Sequence, residues 1–239
     1  MAGVELKYTA DGLEMAGSLH RPAKGGRSPG VIVFPEAFGL GEHAIAKAER
    51  LAQELGYVAL AADLHGGRKI VGMADLGEAL GPLRASADRV RARAGGALQA
   101  LRSQPDVDPT RIAAMGFCFG GTMSFELALS GADVKAAIGF HSGLTVTSPQ
   151  DAGQIKGKVL AMLGADDPGI PPEQRAAFEK MLTDAKVDWQ VTLYGGVVHS
   201  YTNPEADKMG RPEFARYDAR ADRRSWNQMA ALLDEVFSG

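Results

Sequence analysis

The chain has 239 residues, 45% of them hydrophobic and 23% charged, with a net charge of −3 and a single cysteine. At about 150 residues per domain this length lies between one and two domains, and the apolar content supports a large core, which excludes a disordered chain. No long basic run marks a nucleic-acid or acidic-membrane partner, no apolar stretch approaches the roughly 20 residues of a bilayer span, and one cysteine excludes an intrachain disulfide. The opening MAGVELKYTADG lacks the basic-then-apolar pattern of a signal peptide, and a free thiol suits a reducing compartment. The expectation is a cytoplasmic protein.

In chain order, residues 4–8 and 13–20 alternate apolar and polar side chains and are followed by turn residues, which predicts an antiparallel edge hairpin. An apolar strand follows over 31–35. Ala44, Ile45, Ala48, Leu51, Ala52 and Leu55 then form a helical stripe that Gly56 stops. Strand 58–63 precedes a second helix with its stripe on Val90, Ala94, Ala97, Leu98 and Leu101. Gly95 and Gly96 sit inside it, each costing about 1 kcal/mol relative to Ala, and mark either close helix-to-sheet packing or a break. Strand 112–116 leads into a helix beginning near Gly120. Strands 136–140, 159–164 and 189–194 follow, and Trp226, Met229, Ala230, Leu233, Val236 and Phe237 make the closing helix. The glycine pairs 25–26 and 66–67 and the stretch 202–217 are expected as loops, the last as an ordered flap over a site. Several strands are apolar throughout, as strands buried on both faces are. The alternation predicts one α/β domain over 1–239, a mostly parallel sheet of about eight strands with helices on both faces.

Residues 116–120 read Gly-Phe-Cys-Phe-Gly between a strand and a helix. This is the pattern of a nucleophile elbow, the strand–turn–helix of the α/β-hydrolase fold. The turn is so tight that side chains two positions either side of the nucleophile would clash. It would lift Cys118 clear of the sheet at a helix N-terminus, where dipole and free N–H groups favour a thiolate. The Phe119 N–H would face a developing oxyanion.

A triad in this fold runs nucleophile, acid, histidine. After Cys118 only His141 and His199 remain. His199 follows a glycine-rich turn past the last strand and is the expected base. His20, His43, His65 and His141 are expected as ordinary surface or core residues. The acid is expected after strand 159–164, where Asp166 and Asp167 adjoin; Asp167, opening an Asp-Pro turn, is the first choice and Asp166 the alternative. After strand 31–35, Ala37 offers a second oxyanion N–H. Glu36 is either satisfied by local backbone N–H groups or paired with the Cys118 thiol.

Pro35-Glu36-x-Phe38-Gly39, Asp63-Leu64-His65-Gly66, the segment from Arg111-Ile112 to Gly120-Gly121 and Val198-His199-Ser200-Tyr201 occur in order along nearly the whole chain. In these motifs the sequence resembles the dienelactone hydrolase family. The resemblance implies an α/β-hydrolase fold and hydrolysis of a small ester or lactone. It implies a Cys118–His199–Asp167 triad working without a cofactor, and a Glu36 that keeps the thiol protonated at rest and takes its proton when substrate displaces it. Substrate contacts are expected from Arg68, Phe38, Tyr201 and Asn203. The family's founding enzymes hold a substrate carboxylate with two arginines, at positions where this chain has Asn203 and Gly67, with Arg68 one place on. A neutral ester or lactone is therefore expected. The only expected partner is that small molecule, with neither nucleic acid nor membrane, and the chain is expected as a monomer or homodimer.

Overall fold

The computed structural model of the protein describes residues 3–238. Strands β1 (Val4–Ala10) and β2 (Leu13–His20) form the expected antiparallel hairpin, in register from Val4↔Leu19 to Ala10↔Leu13. Asp11 and Gly12 between them have φ of 50° and 70°, the positive values that a two-residue turn matched to strand twist requires. The chain continues through β3 (Ser28–Phe34), α1 (Glu42–Leu55), β4 (Val58–Ala61), α2 (Leu76–Arg84), α3 (Ala87–Arg102), β5 (Val107–Phe117) and α4 (Phe119–Leu129). It ends with β6 (Ala136–Phe140), α5 (Pro149–Ala152), β7 (Lys158–Gly164), α6 (Pro172–Asp184), β8 (Trp189–Tyr194), a 3-10 turn over Pro204–Met209 and α7 (Ala219–Ser238).

The strands make one sheet in the order β1-β2-β4-β3-β5-β6-β7-β8. β2 is antiparallel to β1 and β4, and every pairing from β4 to β8 is parallel. This is the α/β-hydrolase fold. Period-two alternation divides the core between the faces. Ile32, Leu60, Ile112 and Leu163 point to the side covered by α3, α4 and α6. Val31, Val33, Met115, Ile138 and Met162 point to the side covered by α1 and by Trp226, Met229 and Leu233 of α7. Among the described residues no helix is long and apolar enough to cross a membrane.

Some boundaries differ from those read in the sequence. β5 begins at Val107, well before residue 112, and Ser28 of β3 pairs with Val107 across an irregular step. β4 stops at Ala61 rather than continuing to residue 63. There the Asp63 carboxylate accepts from the N–H groups of Ala16, His65, Gly66 and Arg68, which turns the chain out of the sheet. Helix α2 was not anticipated, because Pro82 and two glycines interrupt its apolar spacing.

Helix α3 runs unbroken through Gly95 and Gly96, so the helix break is ruled out. A Cβ on Gly96 would collide with Ala10 Cβ of β1, whereas one on Gly95 would meet nothing within 4 Å. Gly96 lets helix and hairpin approach closely; nothing in the packing explains Gly95. Thermal melts should therefore separate the two. Gly96→Ala should destabilise by about 1–3 kcal/mol through overpacking, and Gly95→Ala should stabilise by up to about 1 kcal/mol.

Candidate active site

In an open parallel sheet, loops at the C-terminal strand ends share one rim, and ligands bind there. Here the ends of β3, β5, β6 and β7 and the loop after β8 converge. They bring Glu36 and Ala37, Cys118, His141, Asp167 and His199 together.

Cys118 links β5 to α4 with φ 54° and ψ −120°, a conformation costly for any residue with a side chain. A Cβ on Gly116 would run into the backbone of Gly120, and one on Gly120 into the backbone of Phe34 and Pro35. The two glycines are thus required by backbone-to-backbone contact. The Cys118 N–H donates to Phe140 O at 3.0 Å, which ties the turn to β6. Phe119 opens α4, so its N–H has no partner within the helix. Ala37, Cys118, Phe119 and His199 all line a cavity of about 330 Å³.

His199 lies beyond β8, and its backbone bridges to Ala215: its N–H donates to Phe214 O at 3.0 Å, and its own O accepts from the Arg216 N–H at 3.2 Å. The expected flap at 202–217 therefore returns to hold this residue. The Phe214 ring stacks on the imidazole with centroids 5.4 Å apart. His199 Nδ1 lies 2.6 Å from Asp167 Oδ2. Asp167 is buried, and its other oxygen accepts from the Gly169 N–H at 2.8 Å. Asp166, the alternative, is exposed. Burial opposes a charge on the His199 ring. The adjacent Cys118 sulfur and the Asp167 carboxylate outweigh it, and the ring pKa rises to about 10.

Glu36 departs from both readings of it. Its Oε2 accepts from Asn203 Nδ2 at 2.7 Å and its Oε1 from Ser200 Oγ at 3.5 Å. It is held by side chains from a loop more than 160 residues away, not by local N–H groups, and its hydrogen-bond partners do not include the Cys118 thiol. Burial raises its pKa, although Asn203, His199, Ser200 and Lys47 pull the other way.

The four expected substrate contacts lie elsewhere. Tyr201 is fully buried with its hydroxyl donating to Met162 O, a core position. Asn203 spends its amide on Glu36 and its Oδ1 on the Glu205 N–H that starts the 3-10 turn. Arg68, at φ 57°, belongs to the Asp63 turn, and Phe38 uses its carbonyl to accept from the Val71 N–H. None of them lines the cavity, whose wall instead includes Thr122, Leu144, Ile170, Gln174 and Phe214, with the exposed Arg84 of α2 at the rim. Sequence reasoning missed these because, apart from Thr122 in the first turn of α4, they come from α2, α6 and loops with no motif. His141 is a core residue beside the site: it is fully buried, bonds Thr202 Oγ1 at 2.8 Å and meets the His199 ring edge-on at 5.2 Å.

A dienelactone hydrolase family model matches residues 15–237. The chain belongs to the dienelactone hydrolase family. It is a hydrolase of the ester and lactone class. It is similar to a Synechocystis sp. protein named as a carboxymethylenebutenolidase, 28% identical, with 92% of each chain covered. The protein usf of Aquifex pyrophilus is 28% identical over 99% of this chain and 100% of its own. Among solved structures, a dienelactone hydrolase-like promiscuous phosphotriesterase from metagenomic libraries is 43% identical. It superposes with a TM-score of 0.95 over 99% of this chain and 100% of its own.

The environment of the imidazole in this family member is open to direct measurement by NMR titration of His199. Asp167→Asn should lower its pKa by about one to three pH units, as loss of an adjacent opposite charge does. Asp166→Asn should leave it nearly unchanged. Cys118→Ala should lower it too; a pKa unmoved by Cys118→Ala would mean that the sulfur facing the ring is uncharged.

Proposed function

We propose that the protein hydrolyses a small carboxylic ester or lactone through a thioester on Cys118. The observation that carries this reading is the arrangement around His199. Its Nδ1 lies 2.6 Å from the buried Asp167, and its ring shares the cavity wall with Cys118 at the strained tip of the elbow. Glu36 takes the thiol proton, and the thiolate attacks the carbonyl carbon, forming the C–S bond. Negative charge moves to the carbonyl oxygen, where the N–H groups of Ala37 and Phe119 meet it. The tetrahedral species collapses, and the leaving alkoxide takes a proton from the His199 imidazolium. His199 then removes a proton from water, which attacks the thioester and frees the acid and the thiolate. Asp167 holds the imidazole in the tautomer with a proton on Nδ1 and stabilises the imidazolium.

The cavity wall is apolar or uncharged apart from His199, Cys118 and Arg84 at the exposed rim. A charge on an exposed side chain is screened and contributes little. The reacting part of the substrate is accordingly neutral. A phosphotriester is a second reading, favoured by one observation: the 43% identical neighbour is a promiscuous phosphotriesterase. The same sulfur would attack phosphorus and expel an aryloxide.

Cys118→Ala should abolish hydrolysis of p-nitrophenyl esters while leaving the circular dichroism spectrum and melting temperature nearly unchanged. Quenched-flow mass spectrometry of the wild type should find the acyl group on Cys118. Wild-type turnover in the Ala variant would end the cysteine mechanism. Hydrolysis of diethyl p-nitrophenyl phosphate that disappears with the same substitution would support the second reading; no turnover of it would remove that reading and leave the first intact.

The charge argument has its own test, a lactone carboxylic acid against its methyl ester at pH 7. The neutral member should have the higher kcat/KM, by about ten- to a hundredfold, the worth of a missing charge-assisted hydrogen bond. A preference for the free acid that vanishes in Arg84→Ala would place the carboxylate at the rim arginine and refute the neutral assignment.

A further inference from the structure

His43 stands at the start of α1, and its side chain is only 9% exposed. Its ring is wedged edge-on against Phe117, centroids 4.5 Å apart. Nε2 lies 3.0 Å from the carbonyl oxygen of Thr202. A carbonyl can only accept, so Nε2 carries the ring proton and Nδ1 presents a bare lone pair. That Nδ1 has no hydrogen-bond partner. It faces Glu36 Oε2 at 3.7 Å.

A buried acceptor without a donor is costly, and an orphan of this kind in a folded protein calls for an account. A lone pair facing an ionised carboxylate is repelled by it. Facing a protonated carboxyl, the same lone pair is a hydrogen-bond acceptor. Burial favours the second situation on both sides. It pushes the Glu36 carboxyl up, and it pushes the His43 ring down to about 3, with the Lys47 charge acting in the same direction. Among the other ionisable neighbours, His199 and Lys47 favour the Glu36 carboxylate, and burial outweighs them. Lys47 of α1 is paired with Asp222 of α7 at 2.7 Å, His141 after β6 is held neutral by burial, and His199 approaches from the loop after β8. The Asn203 Nδ2 bond favours the carboxylate but can persist on the protonated form, because a hydroxyl oxygen can accept one hydrogen bond while donating another.

We propose that His43 is the acceptor that holds Glu36 in its protonated form, so that Glu36 and His43 together store the proton released when Cys118 becomes a thiolate. This rests on the reading in which Glu36 takes that proton. The Cys118 S–H bond breaks and its electron pair stays on sulfur. An O–H bond forms on Glu36, and the carboxyl closes the 3.7 Å gap to donate to His43 Nδ1. The proton stays on Glu36, since the His43 ring is the weaker base, and it returns to sulfur when the thiolate is released at the end of turnover. His43 acts through Glu36 and touches no reacting atom. It is a positioning residue.

The test is the rate of Cys118 alkylation by iodoacetamide at pH 7, which reads the thiolate fraction. His43→Phe keeps a ring against Phe117 and removes the acceptor. It should slow alkylation about fivefold to tenfold, the worth of one hydrogen bond. His43→Asn places a carbonyl oxygen close to the position of Nδ1 and should recover most of the rate. In a Glu36→Gln background, itself slower than wild type, His43→Phe should have no further effect. An equal loss in both backgrounds, or no loss in either, overturns the role of His43 alone. Unchanged alkylation in Glu36→Gln overturns the Glu36 reading and the proton store with it. Melting temperatures of each variant identify any that are simply unfolded, and His43→Asn then carries the comparison.

Discussion

Three backbones meet at the junction of β5 and α4: the end of β3, the strand-to-helix turn at Cys118, and the first turn of α4. A Cβ at Gly116 or Gly120 would fall on main-chain atoms, which cannot rotate away as a side chain can. This close approach permits Cys118 its positive φ, and the tie from its N–H to Phe140 O holds the strained turn against relaxation. Everything else at the site is arranged with respect to that fixed sulfur. Ala37 lies beside it because β3 is the parallel neighbour of β5, with Phe34 opposite Gly116. His199 reaches it from the loop two strands beyond β6.

Around the turn, buried charge is handled by pairing and not by exposure. Asp167 is the most enclosed carboxylate of the site, and it is satisfied by the His199 ring and the Gly169 N–H. Lys47 is matched by Asp222 and covered by Trp226. Glu36 is served by two side chains of the 200–203 loop. An unpaired ion in this setting would be expensive. The consequence is that Glu36 and the histidines near Cys118 are shifted in different directions by their neighbours, which is a condition for moving protons in a defined order. The histidines at 43, 141 and 199 show how environment divides one residue type. Burial drives the first two toward the neutral ring, while Asp167 and the sulfur hold the third charged.

The cavity is assembled differently from the chemistry. Cys118, Glu36, Asp167 and His199 follow strand ends of the sheet, whereas the rest of the wall comes from α2, α4, α6 and the loops near 144, 170 and 214. Helices and loops on the rim can change without disturbing the elbow. The same scaffold can thus accommodate the carboxymethylenebutenolidase and phosphotriesterase named among its relatives.

The sequence by itself determined the architecture and the place of the strand–turn–helix elbow. Two-faced burial demands strands apolar throughout, so β3 to β7 could be read as runs. The Gly-x-Cys-x-Gly pattern identified the elbow, because only glycine tolerates backbone contact at both flanks. Chain order with a glycine-rich turn directed attention to His199, and an Asp-Pro turn to Asp167. What only the tertiary structure decided is which partners these residues have. The Asp-Pro turn favoured Asp167 without excluding Asp166; the direction of the turn after β7 sets Asp167 against His199 and Asp166 toward solvent. Glu36 and Asn203, and His43 and Thr202, lie about 160 residues apart in sequence, so no local pattern links them. Tyr201 and Asn203 follow the motif histidine closely enough to look like substrate contacts. The backbone reversal at Ser200, with φ 54°, turns one into the core and the other onto Glu36. Residue type and spacing fix what a chain can form locally; long-range pairing is set by how the open sheet brings distant loops to one rim.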